Sequence, residues 1–166
     1  MAETDRLWAP WRSTFIAQRK RRQCIFCVAK RSRRRDRAHH VIARGRRVFA
    51  LLNRYPYNNG HLMIAPYRHV GVLEALADDE WAECLSLLQP LLRRLRGTLR
   101  AQGFNLGINL GRIAGAGVPG HLHLHVVPRW MGDTNYMSSV SDVRIMSQSL
   151  DETYALLTAG RHGAVQ

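Results

Sequence analysis

Seven consecutive residues, His121-Leu122-His123-Leu124-His125-Val126-Val127, alternate strictly between imidazole and aliphatic side chains. A period of two is the signature of a β-strand with two unlike faces. On such a strand the three histidines share one face, with alternate Cα atoms about 6.6 Å apart, while Leu122, Leu124 and Val126 point into a core. One histidine on a strand is ordinarily a structural residue. Three aligned imidazoles have two chemical uses: to hold a metal, or to supply a nucleophile whose neighbours orient it and contact an anion. The segment before them, 111–120, contains Gly111, Gly115, Gly117 and Gly120 and is too glycine-rich for regular structure. Its backbone N–H groups can approach phosphate oxygens closely, which favours the nucleophile reading.

The remaining pattern places this strand in an α+β domain. Val48–Leu52 is a short apolar run, the stretch 55–60 carries turn chemistry ending in Asn59-Gly60, and His61–Ala65 reads as a strand pairing back on the first. Asp78-Asp79-Glu80 opens a helix with acids at its positive end. Its apolar residues Trp81, Leu85, Leu88, Leu92, Leu95 and Leu99 form an amphipathic stripe that predicts the buried face, with Pro90 expected to kink it. A further strand is expected over 104–110 and a short helix over 150–157. The fold class is thus α+β, a mainly antiparallel sheet of about five strands with one long amphipathic helix and a shorter C-terminal helix.

Size and charge narrow the biology. The chain has 166 residues, 46% hydrophobic and 22% charged, enough for one packed domain. It shows no apolar run long enough to span a membrane and no secretory leader, so the expected location is cytoplasmic. The net charge of +13 is concentrated: residues 1–50 hold 15 Lys/Arg against 3 Asp/Glu, and residues 51–166 hold 10 against 9. Residues 1–37 therefore read as a basic N-terminal arm and 38–166, which holds the histidine strand, as the expected catalytic domain, a single domain overall. The arm would attract polyanions, but no aromatic residue interrupts its arginine run. Nucleic acid is a possible partner and not the favoured one. Cys24-Ile25-Phe26-Cys27, in a chain without an export signal, reads as a metal or redox pair before a disulfide. Two metal-free, partly buried thiols are the alternative.

The triplet with its following Val126-Val127-Pro128-Arg129, preceded by Ala114-Gly115-Ala116-Gly117, resembles the histidine-triad (HIT) superfamily of nucleotide hydrolases and transferases. The block 52–66, with its Asn58-Asn59-Gly60-His61 turn, is similar to that family's strand–turn–strand segment. Leu7-Trp8-Ala9-Pro10-Trp11-Arg12 and the stretch 128–137 look most like its bacterial diadenosine-tetraphosphate (AppppA) phosphorylase branch. The resemblance implies a covalent nucleotidyl intermediate on His123, with His125 contacting the α-phosphate or leaving group and His61 supporting the nucleophile. It implies Asn53 at the ribose, Asn109 near the phosphates, and Gly115, Ala116 and Gly117 cradling them. Arg129 or Arg112 is expected to help hold a second phosphate. One departure stands out, since this loop carries Ala116-Gly117-Val118 where the hydrolase branch has Gln or Ser. Zinc-containing relatives imply that Cys24, Cys27, His69 and His121 form a structural zinc site. The implied reaction is phosphorolysis of AppppA with inorganic phosphate to ADP and ATP, in a homodimer. Hydrolysis of dinucleoside polyphosphates or nucleoside phosphoramidates, or a zinc-stabilised nucleotide- or nucleic-acid-binding module, remain the alternatives.

Overall fold

The computed structural model describes residues 23–133 and 148–159. Trp8, Trp11 and the stretch 134–137 singled out in the sequence lie outside the described residues, as does Arg19-Lys20-Arg21-Arg22 of the basic arm. Five strands, β1 (Val41–Arg44), β2 (Val48–Leu52), β3 (Leu62–Pro66), β4 (Gly103–Ile108) and β5 (Leu124–Arg129), form one antiparallel sheet in the order β1-β2-β3-β5-β4. Among the described residues three α-helices accompany it: α1 (Ile25–Ala29), α2 (Asp78–Leu99) and α3 (Leu150–Thr158). Among the described residues, no helix is long and apolar enough to cross a membrane.

Strand alternation divides the core in two. Val48, Ala50 and Leu52 of β2, with Leu62 and Ile64 of β3 and Leu124 and Val126 of β5, pack with Cys84, Leu88, Leu91 and Leu95 of α2 and with Tyr154 and Leu157 of α3. Phe49, Leu51, Met63 and Ala65 point the other way and bury Phe26 and Ala29 of α1. The central strands are therefore apolar on both faces, which is why β2 and β3 read as continuous apolar runs rather than alternating ones.

The sequence places the triad strand at 121–127, but β5 begins three residues later, at Leu124, and continues to Arg129. His121 to His123 are instead aligned by neighbouring loops: the His121 amide donates to Val118 O at 3.1 Å and the Leu122 amide to Val70 O at 2.7 Å. β1 was not marked in the sequence, since it has only four residues. The hairpin of β2 and β3 pairs Leu52 with Leu62, so its connection is a nine-residue loop, 53–61, and not a tight turn. Gly60 sits in it at φ +70°, where a Cβ would lie 2.6 Å from Leu99 Cδ1. Glycine is favoured there by the positive φ, and any larger residue would also have to displace the Leu99 side chain.

Helix α2 runs unbroken through Pro90, which faces solvent, so the carbonyl its ring leaves unpaired is open to water. The predicted stripe is corrected in its azimuth. Cys84 and Leu91 are buried with Leu88 and Leu95, whereas Trp81 and Leu85 are 38% and 46% exposed. Two acids account for the rotation. Buried Glu80 takes both Nε and Nη2 of Arg68, at 2.8 and 2.7 Å, and the amide of Ala77 at the helix start. Glu83 accepts the amides of Arg46 and Arg47 in the β1–β2 turn at 2.6 and 2.7 Å. Both acids must face the sheet, and Cys84 and Leu88 follow them on the same helical face. Leu88→Ala is accordingly expected to lower the unfolding free energy by about 2–5 kcal/mol. Leu85→Ala, one turn-position away on the exposed side, should cost about 0.5 kcal/mol or less. Urea denaturation of the two variants distinguishes this packing from the stripe read in the sequence.

Candidate active site

The face of the sheet opposite α2 gathers His61, His121, His123 and His125, all buried. Hydrogen-bond partners that can only donate or only accept define each imidazole's tautomer. The carbonyl of His121 can only accept, so His123 Nδ1, 2.8 Å away, carries the proton and Nε2 keeps the lone pair. The backbone amide of Tyr57 can only donate, so His61 Nδ1, at 3.0 Å, is an acceptor and its proton is on Nε2. That proton goes to His125 Nδ1 at 2.8 Å. His125 therefore carries its own proton on Nε2, a buried atom with no hydrogen-bond partner among the described residues. A chain of donors thus runs from the Tyr57 amide through two imidazoles and ends on an unpartnered N–H. The His123 and His125 rings are 4.7 Å apart. A ring that keeps a lone pair on Nε2 thus neighbours one that presents a hydrogen-bond donor on Nε2.

Burial keeps these groups neutral. Desolvation, reinforced by the neighbouring imidazoles, lowers His61 to about 3 and His125 to about 4. It also pulls His123 below the ordinary histidine value, against the opposing effect of its bond to the His121 carbonyl. Tyr57, which sequence reasoning passed over as a turn residue, stacks on His125 with centroids 5.6 Å apart and tilts over His61 at 4.7 Å. The aromatic position was visible in the sequence, but nothing there indicates that its amide reaches back to His61.

Asn53 lies at the end of β2 against this group, its Nδ2 3.4 Å from His61 Nδ1. Asn109 follows β4, and its amide nitrogen lies 3.7 Å from where a Gly115 Cβ would be. Within the glycine loop the amides of Gly115 and Ala116 close internal turns onto Arg112 O and Gly111 O. The Gly117 amide is not used in either turn. Arg129 stands four residues beyond His125, about 13 Å along the strand, with Nε and Nη2 on Asp133 and Nη1 on Asn105. The structure does not bring it among the imidazoles. Asp133, held well below the usual carboxylate range chiefly by Arg129, also accepts Asn58 Nδ2 at 2.8 Å and so fastens the 53–61 loop.

On the far side of His121 a second cluster converges. Ligating atoms of Cys24, Cys27, His69 and His121 all lie within 4.8 Å of one another. Cys24 Sγ is 3.3 Å from His121 Nδ1, Cys27 Sγ is 3.3 Å from His69 Nδ1, and the two Nδ1 atoms are 3.2 Å apart. Tetrahedral zinc, with bonds of about 2.0 Å to nitrogen and 2.3 Å to sulfur, spaces its ligands by about 3.3–3.8 Å. His121 Nε2 donates to Pro66 O at 2.9 Å, which leaves Nδ1 free to ligate and supplies the outer bond that metal-binding histidines require. The donor set fits zinc. Its closeness rests on Gly71, where a Cβ would meet Gly120 Cα and Pro119 O at 3.0 Å. This backbone contact lets the His69 loop lie directly against the His121 loop.

Residues 34–131 match the model of the HIT domain. The chain is 40% identical over 162 residues to the AP-4-A phosphorylase of Mycobacterium tuberculosis, covering 93% of this chain and 83% of that one. It is 28% identical over 106 residues to adenosine 5'-monophosphoramidase hnt1 of Schizosaccharomyces pombe, covering 64% and 74%. The crystal structure of a zinc-bound histidine triad family protein from Mycobacterium smegmatis superposes with a TM-score of 0.64 at 27% identity, over 82% of this chain and 91% of that one.

The lowered histidines have a consequence for stability. Below about pH 6.5 the unfolded chain binds protons on His61 and His125 that the folded site refuses. Stability should therefore be full above that pH and fall as pH drops from about 6.5 towards 4. Replacing one such group, as in His125→Asn, should flatten the decline by up to about 1.4 kcal/mol per pH unit. Unfolding midpoints measured across this range check both the sign and the difference.

Proposed function

The chain belongs to the HIT family, and from that membership we propose that it transfers a nucleotidyl group through His123, cleaving diadenosine tetraphosphate with inorganic phosphate to ADP and ATP. The observation that carries this reading is the complementary pair of ring nitrogens, a lone pair on His123 Nε2 beside an unpartnered N–H on His125 Nε2. In the first step His123 Nε2 attacks an α-phosphorus, a P–N bond forms, and the P–O bond to the departing ATP breaks. His125 Nε2–H is positioned to hydrogen-bond the phosphate or the departing oxygen, while His61 keeps His125 in the donating tautomer. In the second step a phosphate oxygen attacks the same phosphorus, the P–N bond breaks, and ADP leaves. Neutral imidazoles suit both steps, because a protonated His123 has no lone pair to give.

Asn53 is assigned to the ribose, and Asn109 with the Gly115–Ala116–Gly117 turn to the phosphates, Gly117 contributing the amide that the turn itself does not use. Arg129, bound to Asp133, is assigned an indirect part. It holds the carboxylate that anchors Asn58 and hence the loop bearing Asn53 and Tyr57. The choice of phosphorolysis over hydrolysis is supported by the 40% identity to the mycobacterial AP-4-A phosphorylase. A second copy of the chain is the proposed partner; among the described residues the edge strands are β1 and β4, and β4 carries Leu106 half exposed.

Cys24, Cys27, His69 and His121 are proposed to hold a structural zinc ion that fastens α1 to the sheet. Protein purified without added zinc should contain about one equivalent per chain. Cys24→Ser should lower both metal content and melting temperature, and metal-free wild type of undiminished stability would refute the assignment.

Incubating the protein with AppppA, with and without phosphate, and separating the nucleotides tests the reaction. ADP and ATP should appear, turnover should rise with phosphate, and His123→Ala should abolish it with the melting curve intact. AMP as the main product at saturating phosphate identifies a hydrolase using the same nucleophile. Full activity in His123→Ala removes the covalent mechanism altogether.

A further inference from the structure

The arginine run that the sequence presents as part of a basic N-terminal arm is a folded turn. Residues 33–35 form a single 3-10 turn, closed by Arg35 N to Ser32 O at 3.2 Å and Asp36 N to Arg33 O at 3.1 Å. The next residues continue the turn, with His39 N on Arg35 O and Val41 N on Asp36 O, at 3.0 and 2.8 Å. Its one acid, Asp36, is engaged from outside. Arg44 Nε and Nη2 grip the carboxylate at 3.0 and 2.6 Å, and the same guanidinium donates to Ala29 O at 2.8 Å, at the end of α1. This ion pair is largely shielded from solvent. Arg31, Arg33, Arg34, Arg35 and Arg37 are all exposed, and none has a carboxylate partner among the described residues. Crowding five like charges on one anchored turn opposes folding. The fold supports that arrangement with a shielded ion pair rather than relieving it with surface acids.

From this we propose that the 31–37 turn is a docking surface for the phosphate backbone of a nucleic-acid duplex, separate from the histidine site. Three features select that partner. Guanidiniums are the preferred donors to phosphate, and a pre-ordered turn loses little entropy in presenting them. No aromatic side chain lies in the run, so it offers nothing for unpaired bases to stack on, and the duplex stays paired. No apolar side chain lies between Lys30 and Arg37, so it lacks the wedge by which basic surface segments enter a bilayer. Contacts of this kind read charge and not sequence.

The test is fluorescence anisotropy of the full-length, zinc-loaded protein with two labelled DNA duplexes of unrelated sequence, across a salt series. Both duplexes should bind alike, with log affinity falling against log salt at a slope of about −4 or steeper, as five phosphate contacts require. Replacing Arg33, Arg34 and Arg35 together by Ser should make the slope shallower by about 2–3 units and weaken low-salt binding at least about 10-fold. The same variant should melt no lower than the wild type, since like charges are removed from the turn, and should keep its nucleotide turnover. Three exposed arginines associated with α2, changed as Arg93→Ser, Arg96→Ser and Arg100→Ser, serve as the control for net charge. An unchanged slope in the turn variant, an equal loss in the control, or binding to phosphatidylserine vesicles without binding to duplex would each overturn the proposal.

Discussion

His121 is held at three points, and most of what is distinctive in this molecule depends on that. Its Nε2 donates to the Pro66 carbonyl at the end of β3, its Nδ1 faces Cys24 and His69, and its backbone carbonyl accepts the Nδ1 proton of His123. One residue therefore ties the sheet, the cysteine-bearing helix α1 and the tautomer of the neighbouring imidazole. Phe26 of α1 reinforces the tie, with its ring 4.9 Å from both His121 and His123. A change in how α1 seats would be felt at His123 through one peptide unit and one aromatic ring.

The histidine face owes its chemistry to what surrounds it more than to the histidines. Each imidazole is buried against apolar neighbours and is kept neutral by desolvation. Backbone groups then decide which nitrogen carries the proton: a carbonyl for His123 and an amide for His61. Main-chain atoms cannot be altered by side-chain substitution, so this part of the arrangement belongs to the fold. The side chains that remain adjustable, Asn53, Asn109 and Tyr57, stand at its margin.

Much of this was legible from residue order. Alternation exposed the two faces of β5, because a period of two survives even where the first three residues of the motif leave the strand. The β2–β3 pairing and the extent of α2 also follow from local patterns, and the match to the HIT domain and its structural neighbours bears out the α+β fold. The azimuth of α2 did not, because leucine spacing is satisfied by two adjacent faces, and the choice between them lies with Glu80 and Glu83 reaching partners on the sheet. The Arg129–Asp133 pair was hidden for a related reason. An arginine after a histidine motif looks available until a carboxylate four residues on is seen to occupy it. Long-range partners of charged groups leave no periodic trace.

The contact of the Gly71 region with the backbone of Pro119 and Gly120 has an evolutionary side. Ligand residues are the visible targets when a metal-binding cluster decays, yet here a single added methyl at position 71 would press on main-chain atoms that cannot swing aside. The backbone there would have to give by a few tenths of an ångström, which shifts the seating of the His69 loop against the His121 loop with all four side chains still present in the sequence. A lineage could thus alter the geometry of the cluster while retaining its complete cysteine and histidine signature. Among relatives of this chain, the residue at position 71 would then be as informative as the ligands themselves.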